Sequence, residues 1–132
     1  LWDAWDLDQH YQRTVTELLE VDERRVRATD REASVITVRR VGASGGQQSL
    51  IEQRLILRAG ETGLEIENRI DWRHRSTILK LAVPLDVHAE QIAAETQFGH
   101  LSRPTHTNTS WDAARFEACQ HRFVHVAEPG YG

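Results

Sequence analysis

The 132-residue chain is long enough for one domain with a modest core, and its 16 Lys and Arg against 20 Asp and Glu give a formal net charge of −4. Because the two signs are interspersed, the sequence has no basic patch, which excludes nucleic acid and anionic membranes as charge-driven partners. No apolar run reaches the roughly 20 residues that span a bilayer. The chain contains no Met, which indicates an excised piece of a longer protein.

Alternation of apolar and charged residues with a period of two predicts strands along most of the chain. The first two predicted strands cover residues 24–29 and 34–41. A hairpin is predicted to pair residues 49–59 with 63–72 through a glycine-containing turn. Its predicted inward side chains are Leu55, Leu57, Leu64, Ile66, Ile70 and Trp72.

Three more strands are predicted over residues 77–87, 94–100 and 115–126. The first has a nearly continuous apolar centre, which is typical of a sheet covered on both faces. The last contains Cys119, which is expected to be a buried thiol. Six or seven antiparallel strands predict an all-β, antiparallel β-sandwich that forms a single domain over residues 1–132.

The segment 101–112 does not fit the strand pattern and is predicted to be a long irregular loop, a place where binding groups concentrate. Arg offers a planar fork to hydroxyl pairs, Asn both donates and accepts, and Trp can stack on a sugar ring. The candidate substrate-binding residues are therefore His100, Arg103, His106, Asn108, Trp111 and Asp112. An internal brace between Arg103 and Asp112 is the alternative, and both interpretations stay open.

The histidine spacing predicts no metal site. His121 and His125 lie four residues apart in a predicted strand, about 13 Å, which is too far for two bonds to one zinc ion. Asp86 and His88 share a strand face, but two ligands do not make a site, and a hydrogen-bonded pair is the preferred interpretation. No metal ligand and no catalytic residue is assigned.

The stretch QFGHLSRPTHTNTSWDAARFE at 97–117 resembles the signature of the C-terminal β region of glycoside hydrolase family 38 α-mannosidases, of the bacterial and cytosolic type. Three further stretches are similar to neighbouring parts of that region: DAWDLD at 3–8, LKLAVPLDV at 79–87 and EPGYG at 128–132. The resemblance therefore covers nearly the whole chain.

The resemblance implies a fragment of a galactose-mutarotase-like supersandwich and a parent enzyme that removes terminal α-linked mannose with retention. It places zinc or another divalent cation, and the catalytic carboxylates, in a catalytic domain outside this chain. This chain is therefore expected to be inactive alone and to need no cofactor. Its implied partners are the catalytic domain and mannose-containing oligosaccharides, in the cytoplasm, and a homo-oligomer is expected at high concentration. A free-standing carbohydrate-binding β-sandwich module is the alternative.

Overall fold

The computed structural model of the chain describes residues 7–42 and 46–130, so part of the stretches at 3–8 and 128–132 lies outside the described residues. The chain divides into two compact units, Leu1–Val15 with Leu81–Gly132, and Thr16–Lys80. In chain order the elements are a 3-10 helix at Tyr11–Arg13, β1 (Glu23–Ala28), β2 (Glu32–Gly42), β3 (Gln48–Arg58), β4 (Leu64–Asp71), β5 (Gln91–Thr96), β6 (Gly99–Pro104), α1 (Ser110–Ala114) and β7 (Val124–His125).

The unit Thr16–Lys80 is a four-stranded antiparallel sheet in the order β1-β2-β3-β4. The turn between β1 and β2 is fixed by Thr29, whose Oγ1 accepts hydrogen bonds from the backbone N–H groups of Arg31 (3.2 Å) and Glu32 (3.1 Å). Leu57 of β3 lies opposite Leu64 of β4, which confirms the hairpin predicted from residues 49–72.

One face of this sheet, the charged face, carries alternating Arg and Glu side chains on neighbouring strands. Its ion pairs are Arg25–Glu52 at 3.3 Å, Arg54–Glu67 at 3.4 Å, Arg54–Glu32 and Arg58–Glu65. Each such partly exposed pair contributes only about 0–1 kcal/mol, but the aliphatic stems of arginine also cover apolar neighbours. Ile56, which shares this face with Arg54 and Arg58, is only 1% exposed.

The opposite face, the apolar face, contains two adjacent cross-strand rows without a single polar side chain. These two rows form the two-row patch: Val26, Val35, Leu55 and Ile66, followed by Ala28, Ala33, Leu57 and Leu64. The patch is largely open, with Val26 71% and Leu57 56% exposed.

The predicted inward set of the β3–β4 hairpin is therefore wrong for four of its six members. Leu57, Leu64, Ile66 and Ile70 are exposed, while Leu55 and Trp72 are partly buried. Alternation separates the two faces of a strand but does not say which face becomes covered.

The other unit contains a three-stranded antiparallel sheet in the order β6-β5-β7. Gln91 lies opposite Pro104 and Thr96 opposite Gly99, so β5 and β6 form a tight hairpin. The predicted strand 94–100 is wrong in its continuity, because the chain reverses at Gln97 and Phe98. Phe98 adopts the left-handed conformation, with φ at 67°, which ends β5.

Two more predicted strands are corrected by the structure. Residues 77–87 form no strand, and Ile78, Leu81, Val83 and Leu85 are exposed. An apolar run supplies strand propensity, but a strand also needs a neighbour for its backbone groups, and Pro84 has no N–H to offer one. Of residues 115–126, only Val124 and His125 are in a strand, and Cys119 is exposed rather than buried.

Apart from the 3-10 turn and the five-residue helix α1, the regular structure of the described residues consists of antiparallel strands in two sheets. The predicted all-β antiparallel class is therefore confirmed, and two such sheets are the layers from which a β-sandwich is built. A single domain with the boundaries 1–132 stays a prediction.

Candidate functional site

The candidate residues begin on strand β6, of which the sequence placed His100 at the end of a predicted strand and residues 101–104 in the irregular loop. Gly99–Pro104 pairs with β5 along its whole length, and His100 lies opposite Glu95. Because His100 and Arg103 are three residues apart in one strand, their side chains point to opposite faces of the sheet. The structure therefore separates these two candidates.

The end of the loop is fixed by a capping box at the start of helix α1. The Asp112 carboxylate accepts hydrogen bonds from Thr109 N–H (3.1 Å) and Thr109 Oγ1 (2.7 Å), while Thr109 Oγ1 accepts from Asp112 N–H (3.2 Å). The Thr109 hydroxyl, followed by its backbone N–H and the nearby His106 and Arg115, holds the pKa of Asp112 below its ordinary value. Asp112 is thus an ionised carboxylate that organises the loop.

Three of the six candidates meet in one small cleft of about 80 Å³. Its lining consists of Arg103, Pro104, Thr105, His106, Thr107, Asp112 and Arg115. His106 Nδ1 lies 3.8 Å from Asp112 Oδ2. The cleft is well below the 300–1,000 Å³ of a pocket that encloses a small molecule, so by itself it can hold only one edge of a ligand.

The side chain of Arg103 is only partly satisfied within the described chain. Its Nη1 donates to the carbonyl oxygen of Glu117 at 3.5 Å, whereas its buried Nε makes no hydrogen bond there. The expected alternative of a brace between Arg103 and Asp112 is replaced by the Thr109–Asp112 capping box and this backbone contact. Arg103 keeps donor capacity at the cleft.

The other three candidates, His100, Asn108 and Trp111, are not among the residues that line this cleft. Trp111 lies on helix α1 and is 76% exposed. Sequence reasoning missed Thr109 and Arg115, although the pattern Thr109-x-x-Asp112 before a helix is a recognisable capping signal.

The hairpin that carries the cleft is anchored by a buried carboxylate. Glu95 is 8% exposed and receives two-pronged hydrogen bonds from Arg122, with Nη2 at 2.5 Å and Nε at 3.0 Å from Oε1. Its backbone N–H also donates to the Phe123 carbonyl at 3.0 Å. The Arg122 side chain and then its backbone N–H lower the pKa of Glu95, which keeps the carboxylate charged and the sheet fixed behind the loop.

A serine–histidine pair outside the loop has the form of a nucleophile and base but a structural role. Ser49 Oγ lies 2.8 Å from His74 Nδ1, and His74 Nε2 lies 2.6 Å from the Gly42 carbonyl. Because a carbonyl only accepts, Nε2 carries the proton and Nδ1 accepts from the serine hydroxyl. Ser49 is fully buried and also receives the Arg73 N–H at 2.7 Å, so a substrate cannot reach it.

Comparison with known proteins decides the family. The sequence model of the glycosyl hydrolases family 38 C-terminal domain matches residues 1–132. The chain belongs to this family. The resemblance seen in the stretch at 97–117 is thereby confirmed for the whole chain.

The family 38 domain is also similar to α-mannosidases of several organisms. It is 48% identical over 63 residues to α-mannosidase 2C1 of Homo sapiens, 44% over 62 residues to an α-mannosidase of Saccharomyces cerevisiae, and 38% over 63 residues to α-mannosidase G of Dictyostelium discoideum. These alignments cover 47–48% of this chain and 6% of each relative. The domain therefore corresponds to a small part of those proteins.

Within the residues that the structure describes, the family 38 domain has no group of three or more His, Cys, Asp or Glu side chains that could hold a metal ion. The pairs His121–His125 and Asp86–His88 thus do not extend into larger ligand clusters. None of the described helices has the length and apolar character that crossing a membrane requires.

Proposed function

We propose that this domain is a non-catalytic part of an α-mannosidase that hydrolyses terminal α-linked mannose from oligosaccharides. The observation that carries the proposal is the family match over all 132 residues, together with relatives that are themselves named α-mannosidases. The family resemblance implies that the catalytic carboxylates lie in a catalytic domain outside this chain. We therefore assign the chemistry to the rest of the longer enzyme and a supporting role to this domain.

Zinc, which the resemblance implies for the enzyme, does not fit the donor set of this domain. A structural or catalytic zinc site needs at least three protein ligands within about 2.3 Å of the ion, and the described residues hold no such group. We propose that the metal is held, with the nucleophile and the acid catalyst, by the catalytic domain. The isolated domain is then inactive and needs no cofactor.

We further propose that the cleft lined by Arg103, His106 and Asp112 forms part of the wall of the substrate site. Arg103 lines the cleft, and the hydrogen bond from its Nη1 to the Glu117 carbonyl is a long one, at 3.5 Å. Two neighbouring hydroxyls of a mannose unit would accept hydrogen bonds from the Arg103 guanidinium. One of them would donate a hydrogen bond to the Asp112 carboxylate. Because Thr109 already orders Asp112, the wall would be preorganised before substrate arrives.

Kinetics of the full-length enzyme test this role. Arg103→Lys keeps the charge but removes the planar fork, and His106→Ala removes the second cleft group. Each change should lower kcat/KM by about 5- to 150-fold, equivalent to about 1–3 kcal/mol, with an unchanged melting temperature. Arg27→Ala, at an exposed arginine of strand β1, is the control and should have no effect. Unchanged kinetics in both cleft variants would leave the loop as structure only.

The proposed partners are the catalytic domain of the same protein and a mannose-containing oligosaccharide, in the cytoplasm. The resemblance to the cytosolic-type branch supports this location, and a net charge of −4 gives no attraction to nucleic acid or anionic membranes. Self-association at high concentration is part of the same proposal, because the apolar face is exposed.

A free-standing carbohydrate-binding module remains the second candidate, favoured by the exposed ring of Trp111. The two functions differ in what the isolated chain does. A module would bind mannose oligosaccharides by itself, and Trp111→Ala would abolish that binding. A wall of an enzyme would show no measurable binding alone. Calorimetric titration of the isolated chain distinguishes the two.

A further inference from the structure

The two-row patch is flat, continuous and uncharged. Four strands about 4.8 Å apart, and two rows about 7 Å apart, give a surface of about 19 by 14 Å, or roughly 270 Å². Its rows are defined by strand register, with Val26 opposite Val35 and Leu57 opposite Leu64. Apolar residues fill every one of the eight positions.

The patch has a clear boundary along the strands. The next cross-strand row is entirely polar: Arg24, Thr37, Gln53 and Asn68. Gln53 Nε2 donates to Asn68 Oδ1 at 3.0 Å, so this row satisfies part of its hydrogen-bonding capacity within the sheet. An apolar centre with a polar border is typical of a protein interface, whereas scattered exposed apolar residues lack this arrangement.

We propose that the two-row patch docks against an uncharged, apolar surface of the remainder of the same α-mannosidase polypeptide. The inference rests on the proposed function, which makes this chain a domain of a longer enzyme. Since no position of the patch carries a charge or a hydrogen-bonding side chain, a charged group on the partner would be buried without compensation. The matching surface must therefore be apolar.

The area of the patch favours the same polypeptide over a second copy. A stable interface between separate molecules buries about 800 Å² on each partner, about three times the area available here. Two parts of one polypeptide associate at an effective concentration in the millimolar range, so a small apolar contact suffices. A dimer through this patch would be weak and would form only at high concentration.

Thiol labelling of the full-length enzyme tests the proposal. Leu64→Cys places a thiol in the patch, and Glu67→Cys places one on the charged face of the same strand. Both residues are exposed. Both are made with Cys119→Ala, because Cys119 is itself exposed. Labelling rates are read by peptide mass spectrometry in the native and the urea-unfolded enzyme.

We expect native Leu64→Cys to react at least 10-fold more slowly than Glu67→Cys, with equal rates after unfolding and no change on tenfold dilution. Equal native rates would overturn the proposal. Protection that disappears on dilution would identify a second copy and also overturn it. If Leu64→Cys does not fold, Val26→Cys at the opposite edge of the patch gives the same comparison. Lack of α-mannosidase activity in the parent enzyme would refute the proposed function but leave the labelling result valid.

Discussion

Replacing Ile56 and Leu57 one at a time by alanine tests which face of the four-stranded sheet is stabilising. The two residues are sequence neighbours on opposite faces of β3, and they are 1% and 56% exposed. Ile56→Ala removes three buried carbons at about 0.8 kcal/mol each, or about 2.4 kcal/mol. Any cavity that the surroundings do not fill would add to this loss. Less than half of the Leu57 side chain is buried, so the loss for Leu57→Ala should be about 1 kcal/mol.

Urea unfolding of the 132-residue chain measures both changes. With a slope of about 1–3 kcal/mol per molar urea, Ile56→Ala should lower the midpoint by about 1–2 M and Leu57→Ala by less than half as much, at unchanged slopes. The face assignment made from sequence alone predicts the reverse order. A loss from Leu57→Ala that equals or exceeds the loss from Ile56→Ala would refute the argument that the charged face holds the buried core of this sheet.

Two further predictions concern the unit that carries the cleft. Thr109→Ala should destabilise the start of helix α1 by about 0.5–2 kcal/mol, measured as faster amide exchange at residues 110–114. The control Thr107→Ala should leave this exchange unchanged. Unchanged exchange in Thr109→Ala would contradict the capping box. Because the folded-state pKa of Glu95 is lowered by Arg122, its carboxylate stabilises the fold above its unfolded-state pKa and loses this contribution as the pH falls through the lowered value. Glu95→Gln should therefore reduce the melting temperature at neutral pH and match the parent chain in acid; a pH-independent difference would refute this.

The local features of the fold could be predicted from the sequence because they depend on neighbouring residues. Alternation located strands β1 to β4, and the glycine-containing turn fixed the β3–β4 pairing. The loop stretch was enough to identify the family. These signals come from residues that are close in the sequence and do not depend on tertiary packing.

The features that depend on distant contacts could not be predicted. Ile56 is buried, although it lies on the face that carries the arginines and glutamates and that a hydrophobicity pattern assigns to solvent. Residues 77–87 have the composition of a central strand, yet composition does not provide a hydrogen-bonding neighbour. At the candidate site, the residue types suggested six substrate-binding side chains. The pleating of β6 and the Thr109–Asp112 capping box then determine that Arg103, His106 and Asp112 share one cleft.

The register of β2 and β3 has a consequence for how this domain tolerates insertions and deletions. The two strands pair over all eleven residues of each, with charge on one face and the two-row patch on the other. One extra residue within β3 would turn every following side chain over, placing Arg54 or Arg58 among the apolar rows and Leu55 among the ion pairs. Length changes in this family should therefore accumulate in the links between strands, such as residues 59–63, and be purged from strand interiors. The pairing of the strands therefore determines where insertions and deletions are tolerated in this domain.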